Sequence, residues 1–312
     1  MKRSGGGQRR RKDWLGVSKR GFLTFGSPPE VAHLAGWLVN WRTSNRSSVE
    51  IEMNLVDLSQ DFSVHTPAFA GYSGPSVKWI KRLAFEKAGG QEITSTLHVG
   101  THLDAPAHFL SGGKFIGDLS VDWLVGPACI VDLEAQGMND YGLYGPDNFE
   151  RWERDTGHSI ERGDILVIHT GYHRFYPENW TDRSEVDETK YFIRHPGPQR
   201  DFAEWLLDRG VRWLAVDVGS ADHPMNTVIR NLRADEAAEA ERALGRSLDE
   251  VFPKNDYQIM HTLLFPHDVI HVENAGGDID KVLNQKIEVG CFPWRFQGGE
   301  AAFCRLVAFP GE

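Results

Sequence analysis

The sequence contains few cysteines and no paired cysteine motif. Only three occur in 312 residues, Cys129, Cys291 and Cys304, and they are widely separated. Disulfide frameworks use even sets of cysteines, and structural zinc sites often use pairs separated by about two to four residues. Neither kind of site is indicated, and we expect a reducing, cytoplasmic location.

No stretch is long and apolar enough to cross a membrane. The most apolar part of the N-terminal region, residues 31–41, is short and interrupted, whereas a transmembrane helix needs about 20 predominantly apolar residues. The chain also shows no internal repeat, no phosphate-binding loop and no dinucleotide glycine fingerprint. We therefore expect no membrane as a partner, and the glycine patterns of nucleotide-binding enzymes are absent.

Charge is unevenly distributed along the chain. Residues 1–52 carry ten Lys and Arg against four Asp and Glu, a net +6, so the rest of a chain of net charge −10 carries −16. Because the first segment is rich in Gly and Arg, we predict a disordered basic extension over residues 1–52. The acidic character of residues 53–312 disfavours nucleic acid as the partner of that domain. Nucleic-acid binding by the basic extension stays open as an alternative.

One eleven-residue stretch beginning at His98 concentrates side chains that bind metals. It reads His-Val-Gly-Thr-His-Leu-Asp-Ala-Pro-Ala-His, which places His98, His102, Asp104 and His108 at offsets 0, 4, 6 and 10. Gly and Pro disfavour a helix here, and in a straight strand His98 and His102 would lie about 13 Å apart. Ligands of one metal lie within roughly 4 Å of each other. A metal site therefore requires a turn, which Gly100 permits because it lacks a Cβ.

This stretch resembles the H-x-G-T-H-x-D-x-P-x-H signature of the cyclase family of metal-dependent hydrolases, and every fixed position is matched. That family includes bacterial kynurenine formamidase and isatin hydrolase. The resemblance covers residues 53–312 and implies the swivelling β/β/α fold and a homodimer or higher oligomer. Hydrophobic periodicity alone predicts one α/β or α+β domain, a mixed sheet with flanking helices. Helices are predicted over residues 147–156, 201–209 and 235–244, and strands over residues 79–85 and 91–99 before the metal-binding stretch.

The resemblance also implies the rest of a metal centre. In kynurenine formamidase, a downstream His and a Glu followed by Asn complete a two-zinc site, and His261 and Glu273 recur here in that context. The nearby His267 and His271 are ranked below His261 as ligands and are expected to support the site or to lie at the surface. In the one-metal variant, as in manganese-type isatin hydrolases, His108 is instead the general base. For two metals, the implied ligands are His98, His102 and Asp104 for the first, and Asp104, His108, His261 and Glu273 for the second.

Imidazole and carboxylate ligands without cysteine suit Zn²⁺ or Mn²⁺, one or two ions per chain. Such a centre lowers the pKa of bound water from about 16 toward roughly 7 and polarises a carbonyl group. We therefore predict a metal-dependent hydrolase that cleaves a non-peptide C–N bond through a metal-bound hydroxide. His108 and Asp104 are the predicted catalytic residues.

Other residues are predicted to surround the metals. Phe69 and Tyr72, on a loop rich in Pro and Gly, are expected to line a substrate pocket. Thr101 of the signature is expected to support the site. Residues 217–222 resemble the family's G-x-D-x-x-S-x-D segment, which gives Asp217 and Ser220 supporting roles; a turn that merely caps the preceding strand is the alternative.

The predicted substrate is a small amide. We favour a cyclic or aryl amide such as an isatin-like lactam, because plentiful aromatic residues can wall a pocket around a flat ring. Residues 176–198, predicted to be a long surface loop, and the helical residues 235–252 provide extra chain that can reshape a pocket. Two alternatives stay open: an arylformamidase that hydrolyses N-formylkynurenine, and a non-catalytic metal-binding module with the same fold.

Overall fold

The structure is a computed structural model that describes residues 54–178 and 186–311, and the backbone of two short strands nearer the N-terminus. The chain divides into two units, Met1–Glu52 and Met53–Glu312. In the first unit, β1 (Arg42–Thr43) pairs antiparallel with β2 (Val49–Glu50). The remainder of the predicted disordered extension lies outside the described residues, so that interpretation stays a prediction.

The strands of the second unit are rich in β-branched and apolar residues, which suit a buried sheet. They are β3 (Val56–Asp57), β4 (Ser76–Lys81), β5 (Gly90–Thr94), β6 (His102–Asp104), β7 (Val125–Asp132), β8 (Leu143–Tyr144), β9 (Ile165–His169), β10 (Gly197–Pro198), β11 (Trp213–Val216), β12 (Ile270–Glu273), β13 (Lys286–Pro293) and β14 (Ala301–Phe309).

Three helices predicted from the sequence, at residues 147–156, 201–209 and 235–244, are confirmed to within one residue.

Within the described ranges, no helix combines the length and the apolar character needed to cross a membrane. In chain order the helices are α1 (Leu83–Glu86), α2 (Val121–Leu124), α3 (Pro146–Thr156), α4 (Arg200–Arg209), α5 (Ile229–Leu232), α6 (Ala234–Leu244), α7 (Leu248–Val251) and α8 (Ile259–Leu264).

The main sheet is mixed, as predicted, and it closes on itself. Its strand order is β13-β7-β9-β11-β12-β6-β14-β3, and β13 also pairs with β14. Three pairings in this sheet are parallel: β7 with β9, β9 with β11, and β11 with β12. The other pairings are antiparallel. Closure into a barrel was not predicted, because the β13–β14 pairing cannot be recognised from periodicity within one strand.

Both faces of the sheet are buried by apolar side chains. Successive residues of a strand point to opposite faces, so Leu103 and Val167 pack inside the barrel, whereas Leu166 and Ile168 pack outside it. The outer layer includes Phe149 of α3 and residues of α4 and α8. The chain therefore has an inner core and a helix-covered outer core.

A row of polar residues lies where the parallel strands end. Asp132 ends β7, His169 ends β9, Asp217 follows β11 and Glu273 ends β12. Carboxyl ends of parallel strands share one edge, which is the usual position of ligand sites in open α/β sheets. This edge carries the polar clusters described below.

Two predictions about the segment before the metal-binding stretch were wrong in part. Strands were predicted over residues 79–85 and 91–99, but β4 ends at Lys81 and β5 ends at Thr94. These two strands form a separate antiparallel hairpin that includes α1. The left-handed backbone of Lys87, φ 59°, helps to reverse the chain between them.

The prediction of a surface loop over residues 176–198 is wrong for the described residues 176–178 and 186–198. Tyr176, Tyr191 and His195 are fully buried, and a π-helical turn spans Lys190–Arg194. The Tyr191 hydroxyl donates a hydrogen bond to Asn274 Oδ1 at 2.8 Å. Tyr191 therefore packs against Asn274, the residue that follows β12 next to the candidate site.

Candidate metal centre

The register of two strands places the central side chains on one face of the sheet. In the antiparallel pairing of β12 with β6, Glu273 lies opposite His102 and His271 lies opposite Asp104. Directly opposed residues point to the same face, and the intervening Leu103 points into the barrel. Residues from two distant parts of the sequence are thereby brought together on the outer face.

The predicted turn after His98 is confirmed. Gly100 has φ +60°, in the left-handed region that a residue without a Cβ adopts readily. The turn returns the chain so that His98 Nδ1 lies 3.2 Å from His102 Nε2. A Cβ at Gly100 would also lie only 3.3 Å from the Phe62 ring. Gly100 therefore provides both the turn and the close packing behind it.

Three atoms of this stretch form a small triangle. Asp104 Oδ1 lies 3.0 Å from His98 Nδ1 and 3.3 Å from His102 Nε2, and the two nitrogens are 3.2 Å apart. Tetrahedral ligands about 2.0–2.2 Å from one ion would be roughly 3.3–3.6 Å apart. The triangle therefore has nearly the dimensions of three ligands around a single divalent cation.

The other carboxylate oxygen of Asp104 faces a second group. Asp104 Oδ2 lies 3.7 Å from His261 Nε2, which lies 3.7 Å from Glu273 Oε1. One ligand atom each from Asp104, His108 and His261 can be chosen so that all lie within 4.8 Å of one another. The structure thus brings the six predicted ligands together, with Asp104 between the two groups.

The buried oxygens of Asp104 are suited to bind a cation. The residue is 1% exposed, and within the described part of the chain neither oxygen has a hydrogen-bond partner. A buried carboxylate without such partners is costly unless it is paired with positive charge or coordinates a metal. The donor set, imidazole nitrogens and carboxylate oxygens, suits Zn²⁺ or Mn²⁺.

The electrostatics of the cluster favour positive charge. Burial opposes the charged form of His98, but attraction to the negative charges of Asp104 and Glu300 outweighs it and raises the pKa of His98 to about 11. Burial likewise opposes charge on His261, whose pKa rises to about 10 because of Asp104 and Asp222. Burial and the negative charge of Asp104 raise the pKa of Glu273. The carboxylates therefore create a field that a divalent cation would neutralise.

Hydrogen bonds to the outer nitrogens fix two of the imidazole rings. His102 Nδ1 donates to the carbonyl oxygen of Gly100 at 2.8 Å, and His261 Nδ1 donates to Asp222 Oδ2 at 2.6 Å. Each bond leaves the Nε2 lone pair facing the cluster, the arrangement usual for metal-binding histidines. Asp222 had no assigned role in the sequence analysis, although the final Asp of the G-x-D-x-x-S-x-D segment was a signal for it.

Glu300 was not predicted from the sequence to be a residue of the site. Its Oε2 lies 2.8 Å from His98 Nε2 and 3.1 Å from His108 Nδ1. Burial opposes its charge, but hydrogen bonds with His108 and His98 lower its pKa to about 2. A single Glu before a strand, far along the chain from both histidines, provided no sequence signal.

Two other histidines near α8 were ranked below His261 in the sequence analysis. His267 is exposed at the surface. His271 is fully buried, and its ring centroid lies 4.9 Å from that of His261. One ring nitrogen of His271, one ring nitrogen of His261 and one carboxylate oxygen of Glu273 lie within 4.8 Å of one another. Its contact with His261 keeps that ring packed against β12.

A small cavity of about 200 Å³ opens onto the cluster. Pockets for drug-sized ligands typically measure about 300–1,000 Å³, so this cavity suits a smaller molecule. Both predicted pocket residues line it, and the Tyr72 ring centroid lies 4.8 Å from that of His98. The mainly apolar and aromatic part of the wall is formed by Phe69, Tyr72, Phe109, Val228 and Tyr257.

The predicted supporting residues occupy different positions. The Thr101 hydroxyl donates to the Asn274 carbonyl oxygen at 2.6 Å and accepts a hydrogen bond from the Gln60 backbone, which joins the signature to β12. Ser220 lines the cavity. Asp217 lies away from it and accepts hydrogen bonds from the Thr170 hydroxyl and backbone. Asp217 therefore supports the strand ends and does not contact the cavity.

A second polar cluster surrounds Asp217 but is already satisfied as an ion-pair network. His169, His173 and Asp217 offer ligand atoms within 4.8 Å. However, the oxygens of Asp217 accept hydrogen bonds from backbone and hydroxyl groups, and Arg174 pairs with Asp280 at 2.9 Å. A nearby guanidinium disfavours a metal ion. We therefore interpret this cluster as structural.

His169 is expected to make stability depend on pH. Its Nδ1 lies 2.9 Å from Asp132 Oδ1, and although burial opposes its charge, hydrogen bonds to Asp132 and Asp280 raise its pKa from 6.5 to about 9. The stabilisation is fully present below about pH 6.5 and is lost as the pH rises through about 9. We expect His169→Gln to lower the free energy of unfolding by about 1–3 kcal/mol near pH 6, and by much less near pH 10.

Urea denaturation at several pH values checks this expectation. The control is His267→Gln, because His267 is exposed. A loss of stability in His169→Gln that is equal at both ends of the pH range would contradict a protonated His169.

Comparison with known proteins identifies a family and several similar proteins. A model of the Cyclase family, described as putative cyclase, matches residues 56–223. Kynurenine formamidase of Geobacillus thermodenitrificans is 31% identical over 169 residues, which cover 54% of this chain and 69% of that protein. The Bacillus cereus kynurenine formamidase is 30% identical over 175 residues, with the same coverage. Isatin hydrolase A from Ralstonia solanacearum has a similar structure, with a TM-score of 0.65 and 20% identity over 83% of this chain and 92% of that one.

The fold and the site define a barrel-containing α/β protein with a histidine–carboxylate cluster suited to divalent metal ions. The chain belongs to the Cyclase family. The expected family fold is confirmed. The family model ends at residue 223, so the positions of His261, Glu273 and Glu300 are known from the structure and not from that match.

Proposed function

We propose that this chain is a metal-dependent hydrolase of a non-peptide C–N bond in a small cyclic or aryl amide. The observation that carries the proposal is the convergence of five other ligand-type residues around Asp104, beside a small cavity whose wall is partly aromatic. Membership of the family supports it, as does similarity to kynurenine formamidases and to isatin hydrolases.

We propose two divalent ions, Zn²⁺ or Mn²⁺, as cofactors. His98, His102 and Asp104 would hold the first ion. The second would be held by Asp104 and Glu273 together with the two histidines His108 and His261. The triangle around Asp104 Oδ1 supports the first site, and the position of Asp104 Oδ2 supports the second. The choice between the two metals and the cytoplasmic location stay predictions.

When bound, such ions lower the pKa of water and polarise a carbonyl oxygen. The residues of the chain hold and orient the reactants around them. Asp104 and Glu273 supply negative charge to the cluster, and Asp222 fixes the ring of His261. Tyr72 and Phe109 form walls beside the histidines. Together these side chains position a flat substrate and limit the access of bulk water.

The cavity is the reason for favouring a cyclic or aryl amide. One part of its wall is aromatic and apolar, and a planar ring gains contact area there. We expect the specificity constant for isatin to exceed that for N-formylkynurenine. Steady-state assays of both substrates at equal metal loading measure the ratio.

Arylformamidase activity is the second candidate, because the sequence relatives at about 30% identity are kynurenine formamidases. A specificity constant for N-formylkynurenine tenfold or more above that for isatin would reverse our choice of substrate. The hydrolytic mechanism would be unaffected by that result, since both substrates require attack on a carbonyl next to nitrogen.

We also propose that the chain forms a homo-oligomer through the β4–β5 hairpin. Trp79, Leu83 and Phe85 on this hairpin are 53%, 71% and 83% exposed, and clusters of exposed apolar side chains commonly mark protein interfaces. We expect Trp79→Ser combined with Phe85→Ser to shift the chain to monomers. Analytical ultracentrifugation measures this, with Leu232→Ser as a control at another exposed apolar residue. Unchanged sedimentation of the double variant would place the interface elsewhere.

A further inference from the structure

Glu300 contacts the metal centre from outside the set of proposed ligands. It immediately precedes β14, and its backbone carbonyl oxygen accepts a hydrogen bond from Ala105 N at 3.0 Å. Its side chain turns toward two histidines: Oε2 lies 2.8 Å from His98 Nε2 and 3.1 Å from His108 Nδ1. One carboxylate oxygen thus lies within hydrogen-bonding distance of two rings.

The two contacts select different nitrogens. His98 Nδ1 faces Asp104 Oδ1 at 3.0 Å, so its Nε2 is free to carry the proton that is donated to Glu300. His108 faces Glu300 through Nδ1, which leaves the lone pair of Nε2 available to the cluster. A neutral imidazole has one donor and one acceptor nitrogen, and the partner of the donor determines which is which. Glu300 therefore fixes opposite tautomers in the two rings.

The two rings are also held against each other. Their centroids are 4.1 Å apart and their planes are inclined by 36°, so a rotation of one ring disturbs the other. The side chains of His98 and His108 are only 4% and 13% exposed, whereas that of Glu300 is 38% exposed. The carboxylate can thus remain charged at the rim while it orients buried rings.

We propose that Glu300 is a positioning residue that orients one histidine in each half of the centre and thereby strengthens the binding of both ions. This inference rests on the proposed two-metal centre. Carboxylates that hold the outer nitrogen of a metal-binding histidine typically contribute about 10–100-fold in metal affinity. Here one carboxylate serves two histidines, so its removal should weaken both binding events.

Titration of metal-free protein with Zn²⁺ in a calorimeter tests the proposal without any substrate. We expect Glu300→Ala to weaken both binding steps by about 10–100-fold. Glu300→Gln should have a smaller effect, because its amide oxygen can still accept one N–H. Glu150→Gln on α3 is the matched control, because the side chain of Glu150 has no hydrogen bond or ion pair among the residues that the structure describes. The backbone bond to Ala105 is retained in every variant.

The visible absorption spectrum of the Co²⁺-loaded protein provides a second readout. A change in ligand orientation alters this spectrum, whereas a purely structural role for Glu300 would leave it unchanged in any variant that folds. Unchanged affinities and an unchanged Co²⁺ spectrum in Glu300→Ala would overturn the inference about Glu300 but not the proposed metal centre. A wild-type chain that binds no divalent ion would overturn both the inference and the metal centre on which it rests.

Discussion

Replacement of Asp104 by alanine is expected to remove both bound ions and to lower kcat/KM by about 10³-fold or more. The two oxygens of Asp104 face both groups of histidines, Oδ1 at 3.0 Å from His98 Nδ1 and Oδ2 at 3.7 Å from His261 Nε2. Without its charge, neither half keeps its full set of ligands. The catalytic loss is large because the reaction depends on ions that activate water and polarise the carbonyl.

Elemental analysis of protein purified without chelator measures the metal content, and a steady-state assay measures kcat/KM. Asp155→Ala is the control, because Asp155 is an exposed carboxylate near the end of α3. Far-ultraviolet circular dichroism shows whether each variant is folded. A full metal complement in folded Asp104→Ala protein would show that the metal site lies elsewhere.

Replacement of His108 by alanine is expected to reduce the metal content from two ions to one. His108 shares a group of mutually close ligand atoms with Asp104 and His261, whereas the triangle formed by His98, His102 and Asp104 does not include it. The first ion should therefore remain. We expect kcat to fall by about 10²–10³-fold, since one ion would have lost its partner in charge stabilisation.

The same variant separates the two-metal account from the one-metal account. If His108 is instead a general base beside a single ion, His108→Ala keeps the wild-type metal content, and the pH–rate profile loses the limb that reports the base. His267→Ala is the control, because His267 is exposed on the neighbouring turn Phe265–His267. That control should keep wild-type metal content and activity.

The sequence patterns correctly predicted features that depend on residues close together along the chain. The turn at Gly100 followed from the spacing of His98 and His102 and from the dimensions of metal coordination. The helices α3, α4 and α6 followed from their amphipathic periodicity and from the glycines at their C-terminal ends. In each case the determining interactions lie within about ten residues of one another.

Non-local features could not be predicted by the same reasoning. The pairing of Glu273 with His102 depends on the register between β12 and β6, which are far apart along the chain. Barrel closure depends likewise on the pairing of β13 with β14. Glu300 reaches the site because Ala301 lies opposite Asp104 in the β14–β6 pairing.

The segment with residues Tyr176, Tyr191 and His195 shows a different limit. Its prolines and polar residues are typical of a surface loop, yet these three side chains are fully buried. The burial is irregular, because it arises from a π-helical turn and from packing against the end of β12. Hydrophobic periodicity predicts regular strands and helices, and a segment that is buried irregularly does not produce such a pattern in the sequence.

The most direct test of the account is the recovery of hydrolysis when metal is returned to metal-free protein. Isatin turnover is measured while Zn²⁺ or Mn²⁺ is added in steps to chelator-treated, folded chain. We expect no turnover without metal and a rise that saturates at two ions per chain. Full turnover in the metal-free protein would contradict the account. Binding of two ions without hydrolysis of isatin or N-formylkynurenine would also contradict it, and would favour a non-catalytic metal-binding module.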